Sequence, residues 1–317
     1  MTEDSETAET WETYATSYGD VHTFMRAQQA EPESLSSDVD VGFVGVPFDG
    51  GVTREPGTRH GPTAVRESSA WHGRRFHSDR ESVSLPSERT NSYDDLTLRD
   101  CGDAPIVPND IVKTGEKVSA YVESVAEKTM PIVVGGDHYI TYPAFVGYAN
   151  TVEDDVGLIH LDAHSDTSDD SDVYGEHYHG SPMARIDDSE YGSYDTHAMV
   201  GIRGHSRSSF LDILDERDLF VDYATDVQRK GIETSVRDAI DHVTARVDHV
   251  YLTMDIDVVD PGFAPGTGTP EHGGITSTDL LRAVDILGSC DEIGAADMME
   301  VAPRLDSSNT TSLLASN

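Results

Sequence analysis

The chain has few of the residues that would connect it to nucleic acid or to an anionic membrane. Of its 317 residues, 22 are lysine or arginine and 59 are aspartate or glutamate, so its formal net charge is −37. Nucleic acid and anionic lipid both require basic patches, and this balance argues against both as partners. Lysine is the scarcest charged residue. The lysines are Lys113, Lys117, Lys128 and Lys230. An acidic surface poor in lysine is typical of halophilic proteins, where salt screens the self-repulsion, and we expect such a surface here.

Cysteine and long apolar runs are also scarce. The two cysteines, Cys101 and Cys290, are too few for a disulfide framework and lie outside every cluster of candidate ligands. A reduced, cytoplasmic protein is therefore expected. The first residues, MTEDSETAET, carry acids where a signal peptide needs a basic region and an apolar run. No apolar stretch approaches the length of about 20 residues that a membrane-spanning helix needs. The sequence predicts a soluble protein that is not exported.

What the sequence does contain is an alternation of short β-rich runs and longer helical patterns. Residues 1–38 are polar and acidic with a few apolar anchors, such as Trp11 and Phe24, and they form a predicted N-terminal arm. Residues 39–317 form one predicted α/β domain, in which helices cover both faces of a mostly parallel sheet. A polar segment at about 79–94 is predicted to be a surface loop. Strands are predicted at VDVGFVGVPF, MPIVVGG, VGLIHLDAH, THAMVGIRG, HVYLTMDIDVVD and EIGAADMMEV, and helices at 61–69, 108–128, 210–214 and 236–246 and after Thr141 and Thr276.

Side chains of the type that bind metals stand at the predicted carboxyl ends of three strands, where function collects in open parallel sheets. In two of these strands they recur at a spacing of two. Alternate side chains of an extended chain point to the same side, so they can share one target. In the third strand a histidine follows a pair of glycines. The set comprises His138, Asp162, His164, Asp166, Asp255 and Asp257.

This set of four carboxylates and two imidazoles exceeds what one ion requires. A carboxylate-rich mixed set suits two divalent ions about 3.5–4 Å apart that share a bridging water. Any single member could instead be a hydrogen-bonded core residue. As a set, however, they would be costly to bury without a partner, because unpaired buried charges each cost several kcal/mol. The sequence therefore predicts a binuclear metal site in a hydrolase.

Three segments resemble, in order, the recurring motifs of the ureohydrolase (arginase and agmatinase) family. They are GGDH at 135–138, DAHSD at 162–166 and MDIDVVDPGFAPGTGTPEHGG at 254–274. The resemblance covers nearly the whole chain, from TFMR at 23–26 to ADMMEVAPRLD at 296–306. It implies a three-layer α/β/α sandwich, two manganese ions with nickel as the alternative, and the same six metal ligands. Cobalt, iron and zinc also accept histidine and carboxylate, so the ligand set leaves the metal open.

The resemblance also implies two residues that act on the substrate. One is a proton-shuttling histidine, His179 in YHGSPMAR, and the other is a guanidinium-binding carboxylate, Glu300 in EVAP. Outside the family context, the first would be an ordinary loop histidine and the second an ordinary acid at a strand end. The implied reaction hydrolyses a guanidino compound to urea and an amine. Two metals lower the pKa of a shared water, Asp166 holds the nucleophile by a hydrogen bond, and His179 relays a proton to the leaving amine.

The loop at 167–182, TSDDSDVYGEHYHGSP, connects the ligands to His179 and is expected to set substrate specificity. It lacks the asparagine and serine with which arginases hold the amino-acid head group, and it has the HG pair that formimidoylglutamases generally lack. Its GE…HG pattern is similar to the agmatinase-like group, whose members cleave agmatine, guanidinobutyrate, guanidinopropionate or guanidine. Acids in the loop favour a cationic tail, so agmatine hydrolysis to putrescine is the first expectation and the other substrates remain alternatives. These acids are Asp169, Asp170, Asp172 and Glu176.

A non-catalytic alternative also remains, in which the chain is an inactive metal-binding subunit or regulator. The presence of every ligand, of His179 and of Glu300 favours the enzyme. Family chains run on past the segment resembling TSLLASN at 311–317 into a closing helix, and an absent helix would weaken packing or assembly. The resemblance also implies a homo-trimer or homo-hexamer.

Overall fold

The computed structural model describes residues 22–76, 82–84, 89–91 and 96–317. The first part of the predicted N-terminal arm, including Trp11, lies outside the described residues, as does most of the predicted loop at 79–94. The described residues of that loop form two short antiparallel strands.

The described part of the chain contains eleven strands, nine of which form one sheet. The strands are β1 (Gln28–Gln29), β2 (Val41–Gly45), β3 (Ser82–Ser84), β4 (Arg89–Asn91), β5 (Leu98–Asp103), β6 (Met130–Val134), β7 (Val156–Leu161), β8 (His197–Ile202), β9 (Phe220–Tyr223), β10 (His249–Asp255) and β11 (Ile293–Met299). The order in the large sheet is β1-β5-β2-β6-β11-β10-β7-β8-β9. Every neighbouring pair in it is parallel, which confirms the predicted parallel sheet.

The central strands are mostly apolar because both of their faces are covered. Successive side chains alternate between two separate cores, as the pleat of a strand requires. Leu158 of β7 and Tyr251 of β10 belong to one core, whereas Ile159 and Leu252 belong to the other. The sequence patterns miss β5 and β9, which read LRDCGD and FVDY, because charged residues interrupt their apolar runs.

Helices cover both faces of this sheet. They are α1 (Gly61–Phe76), α2 (Ile111–Ala126), α3 (Thr141–Ala149), α4 (Pro182–Asp187), α5 (Ser209–Glu216), α6 (Ala224–Lys230), α7 (Ile232–Thr244), α8 (Ser277–Leu287) and α9 (Thr310–Ala315). Helices α2 and α3 contribute to one core and α7 and α8 to the other, so the predicted three-layer α/β/α sandwich is confirmed. Capping fixes some helix starts: the side chain of Thr276 accepts a hydrogen bond from the backbone N–H of Asp279 at the start of α8.

The described residues at both ends of the chain lie against the body. Phe24 stacks on Phe43 with ring centroids 3.6 Å apart, and β1 extends the edge of the sheet by pairing with β5. At the other end, α9 packs against α1 and buries Leu314. Among the described residues, no helix combines the length and the apolar character needed to cross a membrane.

Strands β6, β11, β10 and β7 are consecutive in the centre of the sheet. Their carboxyl ends therefore meet at one edge. The predicted site residues lie at the ends of these four strands or within a few residues of them. His179 is the exception, because it lies farther along the loop that follows β7.

Candidate metal centre

His138 reaches the sheet edge because two glycines let the chain after β6 pass close to its neighbours. A Cβ on Gly136 would overlap the carbonyl oxygen of Phe48, and a Cβ on Gly135 would overlap the sulfur of Met299. The contact at Gly136 is with backbone, so only glycine fits there, whereas a larger residue at position 135 would require the Met299 side chain to move. The GGDH segment therefore has a packing reason for Gly136 in particular.

Nδ1 of His138 faces three carboxylates. It lies 2.9 Å from Oδ2 of Asp162, 3.0 Å from Oδ2 of Asp166 and 3.3 Å from Oδ2 of Asp255. This nitrogen is buried, and it has no hydrogen-bond partner of suitable geometry among the described residues. Three carboxylate oxygens and one imidazole nitrogen thus surround a first candidate ion position.

His164 marks a second position beside the first. Its Nδ1 lies 3.0 Å from Oδ2 of Asp257 and 3.6 Å from Oδ1 of Asp162. Asp162 turns one oxygen toward His138 and the other toward His164. The six residues that the sequence predicts thus lie around two adjoining candidate ion positions, which share the carboxylate of Asp162.

The carboxylates of this cluster are buried together, which is unfavourable unless cations compensate them. Burial raises the pKa of Asp255 well above its usual range, and the charges of Asp257 and Asp162 raise it further. Burial and the charge of Asp162 also raise the pKa of Asp257, to about 6. Oδ2 of Asp257 is buried and has no hydrogen-bond partner within the described part of the chain. Ligand atoms held in this way fit a pair of divalent metal ions.

The DAHSD segment holds its side chains partly through its own backbone. Oδ1 of Asp162 accepts a hydrogen bond of 2.6 Å from the backbone N–H of His164. Asp166 has a φ of 48°, in the left-handed region that non-glycine residues rarely adopt. Its carbonyl accepts from the backbone N–H of Met183 at 3.1 Å, which ties the segment to the start of α4. Such strain persists where the surroundings fix the backbone, and it clusters at functional sites.

His179 and Glu300 lie next to the ligands and contact each other. Nδ1 of His179 is 2.9 Å from Oε1 of Glu300, and its Nε2 is 2.7 Å from Oγ1 of Thr53. Burial lowers the pKa of His179, but the hydrogen bond and the charge of Glu300 outweigh this effect and raise it to about 9. In the metal-free chain the imidazole is therefore protonated at neutral pH, and both of its N–H groups have an acceptor.

Glu300 adopts a strained backbone conformation, with a φ of 60°, and its side chain is buried. Its Oε1 also accepts a 3.0 Å hydrogen bond from the backbone N–H of His138. Its Oε2 is buried without a hydrogen-bond partner among the described residues. A buried carboxylate oxygen without a donor is costly, so this atom suits a donor that arrives with a ligand.

A cavity of about 280 Å³ adjoins the two ion positions. Its walls come from the ligand strands, from the loop at 167–182, from the loop after β8 and from the segment at 254–274. The lining residues are Thr53, His164, Ser165, Asp166, Thr167, Ser168, Tyr178, His179, Gly180, His205, Ser206, Arg207, Asp255 and Thr269. Glu300 is not one of them, but its Oε1 contacts the lining residue His179.

The loop at 167–182 contributes to the cavity wall, but its four acids do not. Asp169, for example, forms an ion pair with Arg185 and is largely exposed. The backbone carbonyl of Asp170 accepts a 2.6 Å hydrogen bond from Nη1 of Arg207, which does line the cavity. The four acids that were expected to favour a cationic tail therefore do not line this cavity, whereas Arg207 does.

Two residues that touch the ligands were missed by the sequence reasoning. They are His160, whose Nε2 lies 2.7 Å from Oδ2 of Asp162, and Thr253, whose Oγ1 lies 3.0 Å from Nε2 of His138. His160 and Thr253 are fully buried. Each precedes a predicted ligand by two residues, Asp162 and Asp255 respectively, so the spacing that identified the ligands also includes these two residues. That signal could have found them.

Comparisons with known proteins agree on the family. The model for the Arginase family matches residues 39–317. Guanidinopropionase from Pseudomonas aeruginosa is 35% identical over 302 residues, which are 94% of this chain and 89% of that protein. Agmatinase from Proteus mirabilis is 33% identical over 290 residues, which are 89% of this chain and 85% of that protein. The structure of proclavaminate amidino hydrolase from Streptomyces clavuligerus aligns with a TM-score of 0.83, at 30% identity and over 95% of each chain.

The fold and the paired ligand clusters define a binuclear metal-dependent hydrolase, and the chain belongs to the Arginase family. Within this family it is an agmatinase-like ureohydrolase, an enzyme that acts on guanidino compounds. The family predicted from the sequence motifs is confirmed.

Proposed function

We propose that this protein hydrolyses an ω-guanidino acid, such as guanidinopropionate or guanidinobutyrate, to urea and the corresponding amino acid. The observation that carries the proposal is Arg207 in the cavity wall, where the sequence had suggested acids. A carboxylate tail would pair with this guanidinium group, whereas the ammonium tail of agmatine would be repelled by it. The similarity to guanidinopropionase also supports a preference for a guanidino acid over agmatine. Agmatine, the first expectation from the sequence, becomes the alternative.

We propose manganese as the metal, with nickel as the alternative, because carboxylate-rich sites suit hard divalent ions. When bound, the two ions would supply a water of lowered pKa as the nucleophile. One ion would be held by His138, Asp162, Asp166 and Asp255, and the other by His164, Asp162 and Asp257. The chain's remaining site residues bind the substrate and move its protons.

Glu300 has two tasks in this proposal. Its Oε1 accepts the Nδ1–H of His179 and so fixes the orientation of the imidazole. Its Oε2, which has no hydrogen-bond partner in the part of the chain that the structure describes, accepts an N–H of the substrate guanidinium in a charge-assisted hydrogen bond. At the other end of the cavity, Arg207 receives the carboxylate tail. The guanidino carbon is then held between the ion positions and His179.

His179 supplies the proton that the leaving amine needs. The water oxygen bonds to the guanidino carbon, the bond from that carbon to the substituted nitrogen breaks, and this nitrogen takes one proton from Nε2 of His179. The water gives up both of its protons as its oxygen becomes the urea carbonyl: one returns to His179 and the other completes the ammonium group of the product. Thr53 offers a partner for both protonation states. Its Oγ1 lies 2.7 Å from Nε2 and accepts from the charged ring, while its backbone N–H, at 3.3 Å, donates to the neutral ring. General acid catalysis of this kind contributes about 10²–10⁴-fold to the rate.

The test compares kcat/KM for 3-guanidinopropionate, 4-guanidinobutyrate and agmatine in wild type, Arg207→Gln and Arg207→Lys. We expect a guanidino acid to be the better substrate. Loss of a charged hydrogen bond should lower its kcat/KM about 10- to 100-fold in Arg207→Gln, with agmatine unaffected or improved. Arg207→Lys should retain part of the preference. The matched control is Arg229→Gln, an exposed arginine on α6 that pairs with Asp226. A higher kcat/KM for agmatine in wild type would reverse the assignment.

A further inference from the structure

A buried chain of hydrogen bonds leads away from His138 on the side opposite the candidate ion. Nε2 of His138 lies 3.0 Å from Oγ1 of Thr253, and this hydroxyl donates to Oδ1 of Asp297 at 2.7 Å. The three residues are at most 1% exposed. Thr253 of β10 and Asp297 of β11 are direct partners in the parallel register, so the sheet itself sets their separation.

The direction of the hydrogen bonds in this chain follows from the carboxylate of Asp297, because an ionised carboxylate can only accept. Asp297 accepts from Thr253 and also from the hydroxyls of Thr141 and Tyr251, each at 2.9 Å. Burial raises the pKa of Asp297, and the three hydroxyl donors oppose this effect by stabilising the ionised carboxylate, which can only accept. Oγ1 of Thr253 also lies 3.2 Å from Oγ1 of Thr141, but Thr141 has its own proton on Asp297, and the shorter contact of Thr253 is with Asp297. The single hydroxyl proton of Thr253 therefore points at Asp297. Its oxygen is left to accept a proton from Nε2 of His138.

This direction fixes the tautomer of His138. A neutral imidazole has one N–H, and with the proton on Nε2 the lone pair is on Nδ1. Nδ1 is the atom that faces Asp162, Asp166 and Asp255 at the first ion position. The buried carboxylate thus acts on the metal ligand through an intervening hydroxyl.

We propose that Thr253 and Asp297 are positioning residues that hold His138 in the tautomer and ring orientation required for metal binding through Nδ1. Partners of this kind on ligand histidines typically change metal affinity about 10- to 100-fold when they are mutated. The proposal concerns the metal centre and does not depend on which guanidino compound is the substrate.

The test measures Mn²⁺ dissociation constants of the full chain by competition with a fluorescent chelator. Thr253→Val keeps the side-chain shape but removes the hydroxyl, and it should weaken binding of one of the two ions about 10- to 100-fold. Thr253→Ser keeps the hydroxyl and should bind both ions as wild type does. Thr58→Val is the matched control, because Thr58 is fully buried and its hydroxyl has no hydrogen-bond partner among the described residues.

Wild-type affinity for both ions in Thr253→Val would overturn the proposal. So would an equal loss in Thr253→Ser, because the loss would then come from packing of the methyl group. A second measurement does not depend on how the variants fold. In zinc-loaded wild type, ¹⁵N spectra of histidine, assigned with His138→Gln, should show His138 bound through Nδ1 and protonated at Nε2. Metal binding through Nε2 would contradict the proposed tautomer.

Discussion

The imidazole of His179 and the carboxylate of Glu300 form a buried pair, with Nδ1 2.9 Å from Oε1. The same Oε1 accepts from the backbone N–H of His138, and the backbone N–H of Glu300 donates to the carbonyl of Gly136 at 2.9 Å. The pair thus joins the end of β6, the end of β11 and the loop after β7. The proposed proton donor and the first ion position are held by one set of hydrogen bonds.

The raised pKa of His179 couples the stability of the metal-free protein to pH. The pKa of an unfolded histidine is about 6.5, whereas the pKa of His179 in the folded chain is about 9. Its contribution to stability is therefore fully present below pH about 6.5 and is lost as the pH rises through about 9. We expect the difference in free energy of unfolding between wild type and His179→Gln to decline over this range. Urea melts in the presence of a chelator at several pH values measure it. A difference that stays constant with pH would contradict the assigned pKa.

Glu300→Gln should separate the two tasks of this carboxylate. A glutamine carbonyl can still accept from Nδ1 of His179, but it carries no charge, so His179 should lose its proton at lower pH. We expect the alkaline limb of the kcat profile to move to lower pH and KM to rise, because the guanidinium loses its counter-ion. Steady-state kinetics across pH measure both effects. Glu233→Gln, at an exposed position in the first turn of α7, is the control. An unmoved alkaline limb would remove Glu300 as the cause of the raised pKa.

The shared carboxylate of Asp162 predicts an unequal response to mutation of the ligands. Asp162→Asn should lower the occupancy of both ion positions, because its two oxygens face both His138 and His164. Asp257→Asn should affect mainly the position at His164. Elemental analysis after dialysis at a fixed concentration of free Mn²⁺ measures the number of ions per chain. Equal losses in the two variants would show that the positions do not share Asp162 as proposed.

The acidic composition predicts a dependence of stability on salt. With a formal charge of −37, the folded chain repels itself, and this repulsion is screened over about 3 Å in 1 M salt but over about 30 Å in 0.01 M salt. We expect the free energy of unfolding to fall when KCl is dialysed away. Urea melts at low and multimolar KCl measure it, and equal stability at both would reject adaptation to high salt.

The central strands and the ligands could be predicted because their signals are local. All six residues of β7 are buried and all but His160 are apolar or glycine, so its apolar run is nearly continuous, and its ligands follow at a fixed spacing in sequence. The cavity wall could not be predicted in this way. Arg207 meets the loop at 167–182 through a contact with Asp170, 37 residues away in sequence. The bond from Thr253 to Asp297 depends on the register of β10 with β11, which no local pattern specifies.

The central claim is that this chain releases urea from a guanidino compound at the paired ion positions, with His179 as the proton donor. The most direct measurement is urea release by the Mn²⁺- or Ni²⁺-reconstituted protein in multimolar KCl, with guanidinopropionate, guanidinobutyrate, agmatine, arginine and guanidine as substrates. We expect release from at least one guanidino acid, and a kcat about 10²–10⁴-fold lower in His179→Ala with two ions still bound. No urea from any substrate despite two bound ions, or full activity in His179→Ala, would contradict the account.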